Sequence, residues 1–280
     1  MKKHILAFCC TLLIVAGGYS QDKLNKSKSE LNKGKDLNTV AAQQKTTSTS
    51  SSSSSSRDGG IGSIFVELIA KAVAYTAGIA VIGHYGIEDH LHFEQTEYPY
   101  YLPEHGNYFN AEVHDDGNIN NFRFDLKDKF LYNNGNLFGN HLEAKLRPFQ
   151  YLYVKADYYQ LFEFQENTSD NLSLFYFNLG YDRIRLRRFN LGWTIGASYI
   201  ANDVNKLGFS FGANAEYFCK QNVSFLAGAK WSFINDKPVH AYEIEGRYHR
   251  KNYFISVGFE HLDIASPNYN FATVGGGIYL

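Results

Sequence analysis

From about residue 118 to the end of the chain, apolar and polar positions alternate. Leu207, Phe209, Phe211, Ala213, Ala215 and Tyr217 are separated by Gly208, Ser210, Gly212, Asn214 and Glu216. Val223, Phe225, Ala227, Ala229, Trp231 and Phe233 alternate in the same way with Ser224, Gly228, Lys230 and Ser232, and Leu191, Trp193, Ile195, Ala197 and Tyr199 with Gly192, Thr194, Gly196 and Ser198. Tyr242, Ile244, Gly246 and Tyr248 alternate with Glu243, Glu245, Arg247 and His249, and Tyr253, Ile255, Val257 and Phe259 with Ser256, Gly258 and Glu260. A period of two puts all the apolar side chains of a strand on one face and the small or polar ones on the other. Runs of about ten residues with this alternation are the mark of strands that cross a bilayer in a closed barrel. Ten runs can be counted, at 118–132, 139–147, 150–164, 172–186, 190–200, 206–218, 222–233, 239–249, 253–263 and 269–280. The pattern therefore predicts an all-β fold, an antiparallel transmembrane β-barrel of about ten strands. Eight or twelve remain open, because the register slips near Tyr181, Asp182 and Arg183 and the first run breaks its outward face at Asp128.

The links between runs offer a second test. Those near 147–150, 187–190, 219–222 and 250–252 are short, whereas those at 133–140, 165–171, 201–206, 234–238 and 263–268 are mostly longer and hold Asn, Asp and Pro. Short periplasmic turns alternating with longer outer loops are expected when the C-terminus lies in the periplasm.

With the apolar faces outward, Glu143, Asp157, Glu163, Glu216, Glu243, Glu245 and Glu260 point inward, together with Lys145, Arg147, Lys155, Lys230 and Arg247. A ten-stranded barrel is only slightly wider than an eight-stranded one, whose interior is filled by side chains. Mixed charges in so narrow a space predict a plugged, ion-paired lumen. A selective channel would instead show a ring of one sign. His141, His240, His261, Asp203, Asp236 and Asp263 fall near the outer rim on this reading, where a hydrogen-bonded Asp–His pair could activate water. That keeps an outer-membrane enzyme as an alternative, with its catalytic residues unknown. Arg183, Arg185, Arg187 and Arg188 gather towards the other end and read as side chains snorkelling to lipid phosphates.

The region before the barrel is organised differently. Residues 1–20 combine Lys2 and Lys3, an apolar stretch over 5–16 and Gly18-Tyr19-Ser20 before Gln21, which is the pattern of a cleaved secretory signal peptide. A lipoprotein signal is excluded because Cys9 follows Phe8 rather than a small residue. Residues 21–60, rich in Ser, Lys, Asn and Gln, read as a disordered tether. Residues 61–87 read as an apolar helix that Ser63 can cap, packed on protein or lying at an interface, and 88–117 as an irregular connector. His90 and His92 have the residue types of a metal site, but no third ligand is fixed by spacing, so no metal and no cofactor is expected.

Composition narrows the function classes. The 280 residues include Tyr 21, Phe 22 and Gly 24 but only Pro 5 and Met 1, and the formal net charge is −1. A near-neutral chain carries no basic field for nucleic acid. Mean hydropathy is −0.33, too polar for a multi-helix membrane protein. Loss of the signal removes Cys9 and Cys10, leaving Cys219 with no disulfide partner in the chain.

Taken with the alternation and a last strand that runs to the final residue, 118–280 resembles the small outer-membrane β-barrel proteins of Gram-negative bacteria. The signal ending Tyr-Ser-Gln and the Tyr/Phe/Asn-rich strands resemble those of Bacteroidetes-type organisms. The resemblance implies an outer-membrane location in the cell envelope and passage through the barrel-insertion machinery. The usual terminal aromatic is replaced here by Tyr279 followed by Leu280. A non-enzymatic role, structural, binding or accessory to an envelope complex, is the expectation, with outer-membrane lipid around the barrel and a possible periplasmic partner through 21–117. A narrow channel and a secreted soluble barrel with an apolar ligand inside are the other readings. The soluble barrel inverts the faces, turning Phe209, Phe225 and Trp231 inward.

Overall fold

The computed structural model describes residues 22–33, 83, 98–99, 122–149, 151–165 and 168–280. The signal peptide, most of the tether, the 61–87 helix and His90 and His92 lie outside the described residues. Ten antiparallel strands form one closed barrel: β1 (Arg123–Asn134), β2 (Leu137–Arg147), β3 (Leu152–Phe164), β4 (Ser169–Arg185), β5 (Phe189–Ile200), β6 (Lys206–Lys220), β7 (Val223–Ile234), β8 (Lys237–Arg250), β9 (Tyr253–Ile264) and β10 (Asn268–Tyr279). Each strand pairs with its sequence neighbours, and β1 closes on β10 with Asp125 opposite Tyr279 and Tyr132 opposite Ala272. The slip expected near Tyr181 to Arg183 is a register shift between Asp182 and Ile184 in the β4–β5 pair.

The alternation works as the sequence predicts. Every strand places a large apolar side chain on the outside: Phe130, Leu142, Leu152, Phe177, Ile195, Leu207, Phe225, Ile244, Val257 and Val274, in order from β1 to β10. Phe177, Leu207, Ile244, Ile255 and Val257 are each 60–66% exposed, so none of the described residues covers them. Phe209 and Phe225 are exposed as well, which excludes the inverted, soluble barrel. A strand of 12 residues, such as β1, rises about 3.3 Å per residue, and a tilt of about 40° leaves a barrel about 30 Å tall. That is the thickness of a bilayer's hydrocarbon core. Among the described residues no helix is long and apolar enough to cross a membrane.

Two expectations need correction. The links at the two ends are of similar length: two to five residues at the end bearing the β1–β2, β3–β4, β5–β6, β7–β8 and β9–β10 loops, and two to four at the other. The strands run further than the alternation suggested, absorbing polar residues such as Asn134, Ser169 and Asp170 into the ladder. The β7–β8 connection is only Asn235-Asp236, both at positive φ (53° and 62°), the two-residue turn that matches strand twist.

The second correction concerns the tether. Residues 23–32 are not disordered but form a helix, α1 (Lys23–Asn32), seated in the end of the barrel that carries these five loops. A ten-residue polar helix is marginal alone. It is held by tertiary contacts, because Leu24, Ser27 and Leu31 fall on one face and are fully buried. Arg123, where β1 begins, lies at the opposite end with Arg147 and Leu280.

Candidate functional site: the filled lumen

The interior is built in two layers. At the α1 end, inward Leu131, Leu137, Leu161, Leu172, Leu174, Ile200, Ile234, Leu262 and Ile264 surround Leu24 and Leu31 as an apolar core. The barrel rim completes the helix ends. The Glu163 carboxylate accepts from the backbone N–H groups of Lys23 (3.2 Å) and Leu24 (2.8 Å), satisfying donors that a helix N-terminus leaves open. Asn235 Nδ2 donates to the Leu31 carbonyl at 2.5 Å. Lys28 Nζ donates to Asp170 Oδ1 (2.5 Å) and Asp203 Oδ2 (3.1 Å), and Ser27 Oγ donates to the Ile264 carbonyl at 2.9 Å. Glu163, read from the sequence as one more luminal acid, is thus the N-terminal cap of a helix more than a hundred residues away.

Below this core lies the charged layer. Lys129 Nζ is fully buried, 2.8 Å from Glu243 Oε2 and 2.5 Å from Glu245 Oε1, and also paired with Glu260. Lys127 Nζ bridges Glu143 (2.8 Å) and Glu245 (2.9 Å), Lys155 meets Glu143 at 2.9 Å, and Lys230 meets Asp157 at 2.7 Å. Arg247 Nε donates to Glu245 Oε2 at 2.9 Å, and Arg147 Nη1 to Asp182 Oδ2 at 2.5 Å. Every inward acid and base named from the sequence does face the lumen. Low-dielectric burial makes such charges costly alone, so the acids of this layer are paired with bases, some on the same or the neighbouring strand and some across the barrel.

Most of the long charged side chains come from β1, β2, β3, β8 and β9, with Asp182 on β4, Glu216 on β6 and Lys230 on β7 among the others. The wall facing them, on β4 to β7, carries small residues inward: Gly180, Gly192, Thr194, Gly196, Ser198, Gly212 and Gly228. A Cβ on Gly180 would lie 2.0 Å from the ring of Tyr153, its cross-strand partner, so only glycine admits that ring. The Tyr153 hydroxyl in turn accepts from Asn214 Nδ2 at 2.8 Å. Among the described residues, a cavity of about 40 Å³ opens at the chain-terminal end, bordered by Asp125, Lys127, Glu143, Arg147, Glu216 and Arg247. That holds a few waters and no solute.

His141 is a correction. It lies not at the rim but fully inside, with Nδ1 3.0 Å from Glu260 Oε1 and Nε2 3.0 Å from Asp157 Oδ1. It shares its parity with Glu143 and Lys145, so the strand simply starts earlier than the alternation suggested. Its neighbours form two buried donor groups, His141 with Glu243 and Glu260, and His141 with Glu143 and Asp157, whose ligand atoms lie within 4.8 Å of one another. The ammonium groups of Lys127, Lys129, Lys155 and Lys230 already stand among these carboxylates, supplying the positive charge that a metal ion would bring. Lys127 and Lys129 themselves were missed in the sequence because Asp128 between them, outward and bonded to Asn140, obscures the phase of β1.

Of the rim candidates, the structure brings together His261 and Asp263 on the outer face, Nε2 to Oδ1 at 3.0 Å. His240 Nδ1 stands 4.0 Å from Asp263 Oδ2. The other nitrogen of His261, Nδ1, is 2.6 Å from Asn270 Oδ1, so both ring nitrogens are engaged and neither faces a hydroxyl or thiol. Asp203 is taken up by Lys28 and Asn32, and Asp236 serves the β7–β8 turn.

No protein-family model matches the sequence, and no curated protein matches it. Solved structures with similar strand arrangements include an outer-membrane channel from Pseudomonas putida F1, 8% identical with a TM-score of 0.34, covering 61% of this chain and 100% of its own. The outer membrane protein OprG from Pseudomonas aeruginosa is 9% identical with a TM-score of 0.30, over 57% of this chain and 95% of its own. Ail, the attachment invasion locus protein of Yersinia pestis, is 14% identical with a TM-score of 0.28, over 57% and 96%. At these identities and scores the likeness carries no functional inference, and the assignments that follow rest on the geometry of this chain.

Proposed function

We propose that this chain is an outer-membrane β-barrel protein with a sealed lumen, serving a non-enzymatic structural, binding or accessory role in the cell envelope. The observation that carries this reading is the distribution of its faces: a closed ring of exposed aromatic and aliphatic side chains outside, and an ion-paired, helix-capped interior within. Only lipid satisfies such an outer surface, and a closed barrel leaves no strand edge unpaired in it. A secretory signal supports export, and the Tyr/Phe/Asn-rich strands support a Bacteroidetes-type origin. Passage through the barrel-insertion machinery accompanies this reading. With two closed layers in series, the barrel anchors rather than conducts. Its free partner-binding capacity then resides in residues 34–117, since 22–33 are engaged by the barrel itself.

The test is twofold. In fractionated membranes the protein should sit in the outer-membrane fraction and migrate differently on detergent gels before and after boiling. Reconstituted in planar bilayers, it should show no stepwise conductance. A soluble protein, or steady ion current through single barrels, would refute the reading. The enzyme alternative keeps one specific support, the His261–Asp263 pair. It requires His261→Ala to abolish a hydrolytic activity on lipid or peptide while leaving the gel shift unchanged.

A further inference from the structure

The two rims of the barrel differ in charge: one is basic, the other carries both signs. At the chain-terminal end the β4–β5, β6–β7 and β8–β9 turns follow one another around half the circumference. They present Arg187, Arg188, Lys220, Arg250 and Lys251, all exposed and, among the described residues, without a carboxylate within ion-pair distance. The sequence shows no acid in these turns. Asp182 and Glu216, the acids of β4 and β6 towards this end, are turned inward and buried. The opposite rim holds Glu163, Asp170, Asp203, Asp236 and Asp263 alongside Lys206 and Lys237, and Lys23 and Lys28 of α1 are drawn into contacts with it.

Directly beside the five free bases the outer face carries exposed Leu186, Tyr217, Phe225, Tyr248 and Tyr253. The bases thus border the apolar band, where long side chains reach the headgroup level of a leaflet while their stems stay in apolar surroundings. We propose that this arc is a binding surface for phosphate-bearing lipid headgroups, which selects anionic lipid in the leaflet around the chain-terminal rim. The proposal rests on the membrane reading above. Adjacent hairpins stand about 10 Å apart, two strand spacings, so successive turns can each engage a separate headgroup. Exposed basic residues at a membrane surface attract anionic lipid strongly enough for five of them to enrich it on the order of tenfold or more.

The full chain is refolded into bilayers of equal phosphatidylglycerol and phosphatidylcholine, and the lipids retained on the barrel are counted by native mass spectrometry. The expected result is phosphatidylglycerol retained on the order of tenfold over phosphatidylcholine. The preference should fall to near parity in a variant with Arg187, Arg188, Lys220, Arg250 and Lys251 each changed to Gln. A variant with Lys26→Gln and Lys33→Gln on α1 should keep the preference. The boiled and unboiled gel shift is read on every sample. If the wild-type chain does not insert, the membrane reading fails and this proposal with it. If the chain inserts but retains both lipids equally, or if the five-site variant keeps the preference, the proposal alone is overturned. Loss of the preference on adding millimolar inorganic phosphate would identify a free-anion site and overturn the lipid assignment.

Discussion

Changing Lys129 to Met tests whether the lumen is dry and ion-paired or merely polar and wet. Its ammonium is fully buried and touches three carboxylates, Glu243 at 2.8 Å, Glu245 at 2.5 Å and Glu260. Met keeps most of the volume and removes only the charge. Some compensation remains, because Lys127 reaches Glu245 at 2.9 Å and Glu243 at 3.4 Å, and His141 reaches Glu260 at 3.0 Å. Breaking a buried pair by removing one partner costs about 3–5 kcal/mol, since the other charge is left desolvated. With partial cover from Lys127 the expected loss is about 3 kcal/mol, more than a hundredfold in the unfolding equilibrium. Urea titration of vesicle-refolded barrel, followed through the fluorescence of Trp193 and Trp231, measures it. The double variant Lys129→Met with Glu260→Leu should recover about half the loss, because it removes one orphaned carboxylate together with its base. A cost for Lys129→Met below about 1 kcal/mol, the range of solvated surface pairs, would refute the reasoning and mark the lumen as hydrated.

Four further outcomes are expected. Leu31→Ala should cost about 2–5 kcal/mol of α1 docking and expose α1 itself to protease. Deleting 22–33 should still leave single-barrel conductance at baseline, because the charged layer seals the lumen independently. Gly180→Ala should destabilise by about 1–3 kcal/mol as the new methyl group meets the Tyr153 ring, and combining it with Tyr153→Ala should remove the penalty in a double-mutant cycle. Hydrogen bonds from the Ser266 side chain and backbone hold the exposed Glu30 carboxyl on α1 below its ordinary pKa. A group depressed on docking contributes above its undocked pKa, so this contact should be lost as pH falls through the ordinary carboxylate range and below. Glu30→Gln should remove that step from an acid titration of protease accessibility.

Much of this molecule was legible before any coordinates. A period of two needs only the order of residues, so the β-barrel class, a count of about ten strands, the outward aromatic face and the inward positions of Glu243, Glu245, Lys230 and Arg247 follow from alternation, while closure at ten rather than eight or twelve came from the structure. The bulge at Asp182 showed as a phase slip for the same reason. His141 carried its signal, the parity it shares with Glu143, but the polar stretch before it resembled a loop.

Other features depend on which strand closes against which. That Lys127 and Lys129 on β1 meet Glu243 and Glu245 on β8 is set by the β1–β10 seam and the tilt of the barrel, which no local pattern encodes. The helix at 23–32 is the clearest case. Two leucines seven residues apart among lysines, asparagines and serines are too few to hold a helix in water. Order comes only when the leucine-lined mouth of the barrel, Glu163 at one helix end and Asn235 at the other are brought together in space. Local alternation thus determined the strands and their faces. The pairing of Lys127 and Lys129 and the folding of α1 were decided by tertiary structure, because their stabilising partners lie more than a hundred residues away and exist as a site only once the barrel has closed.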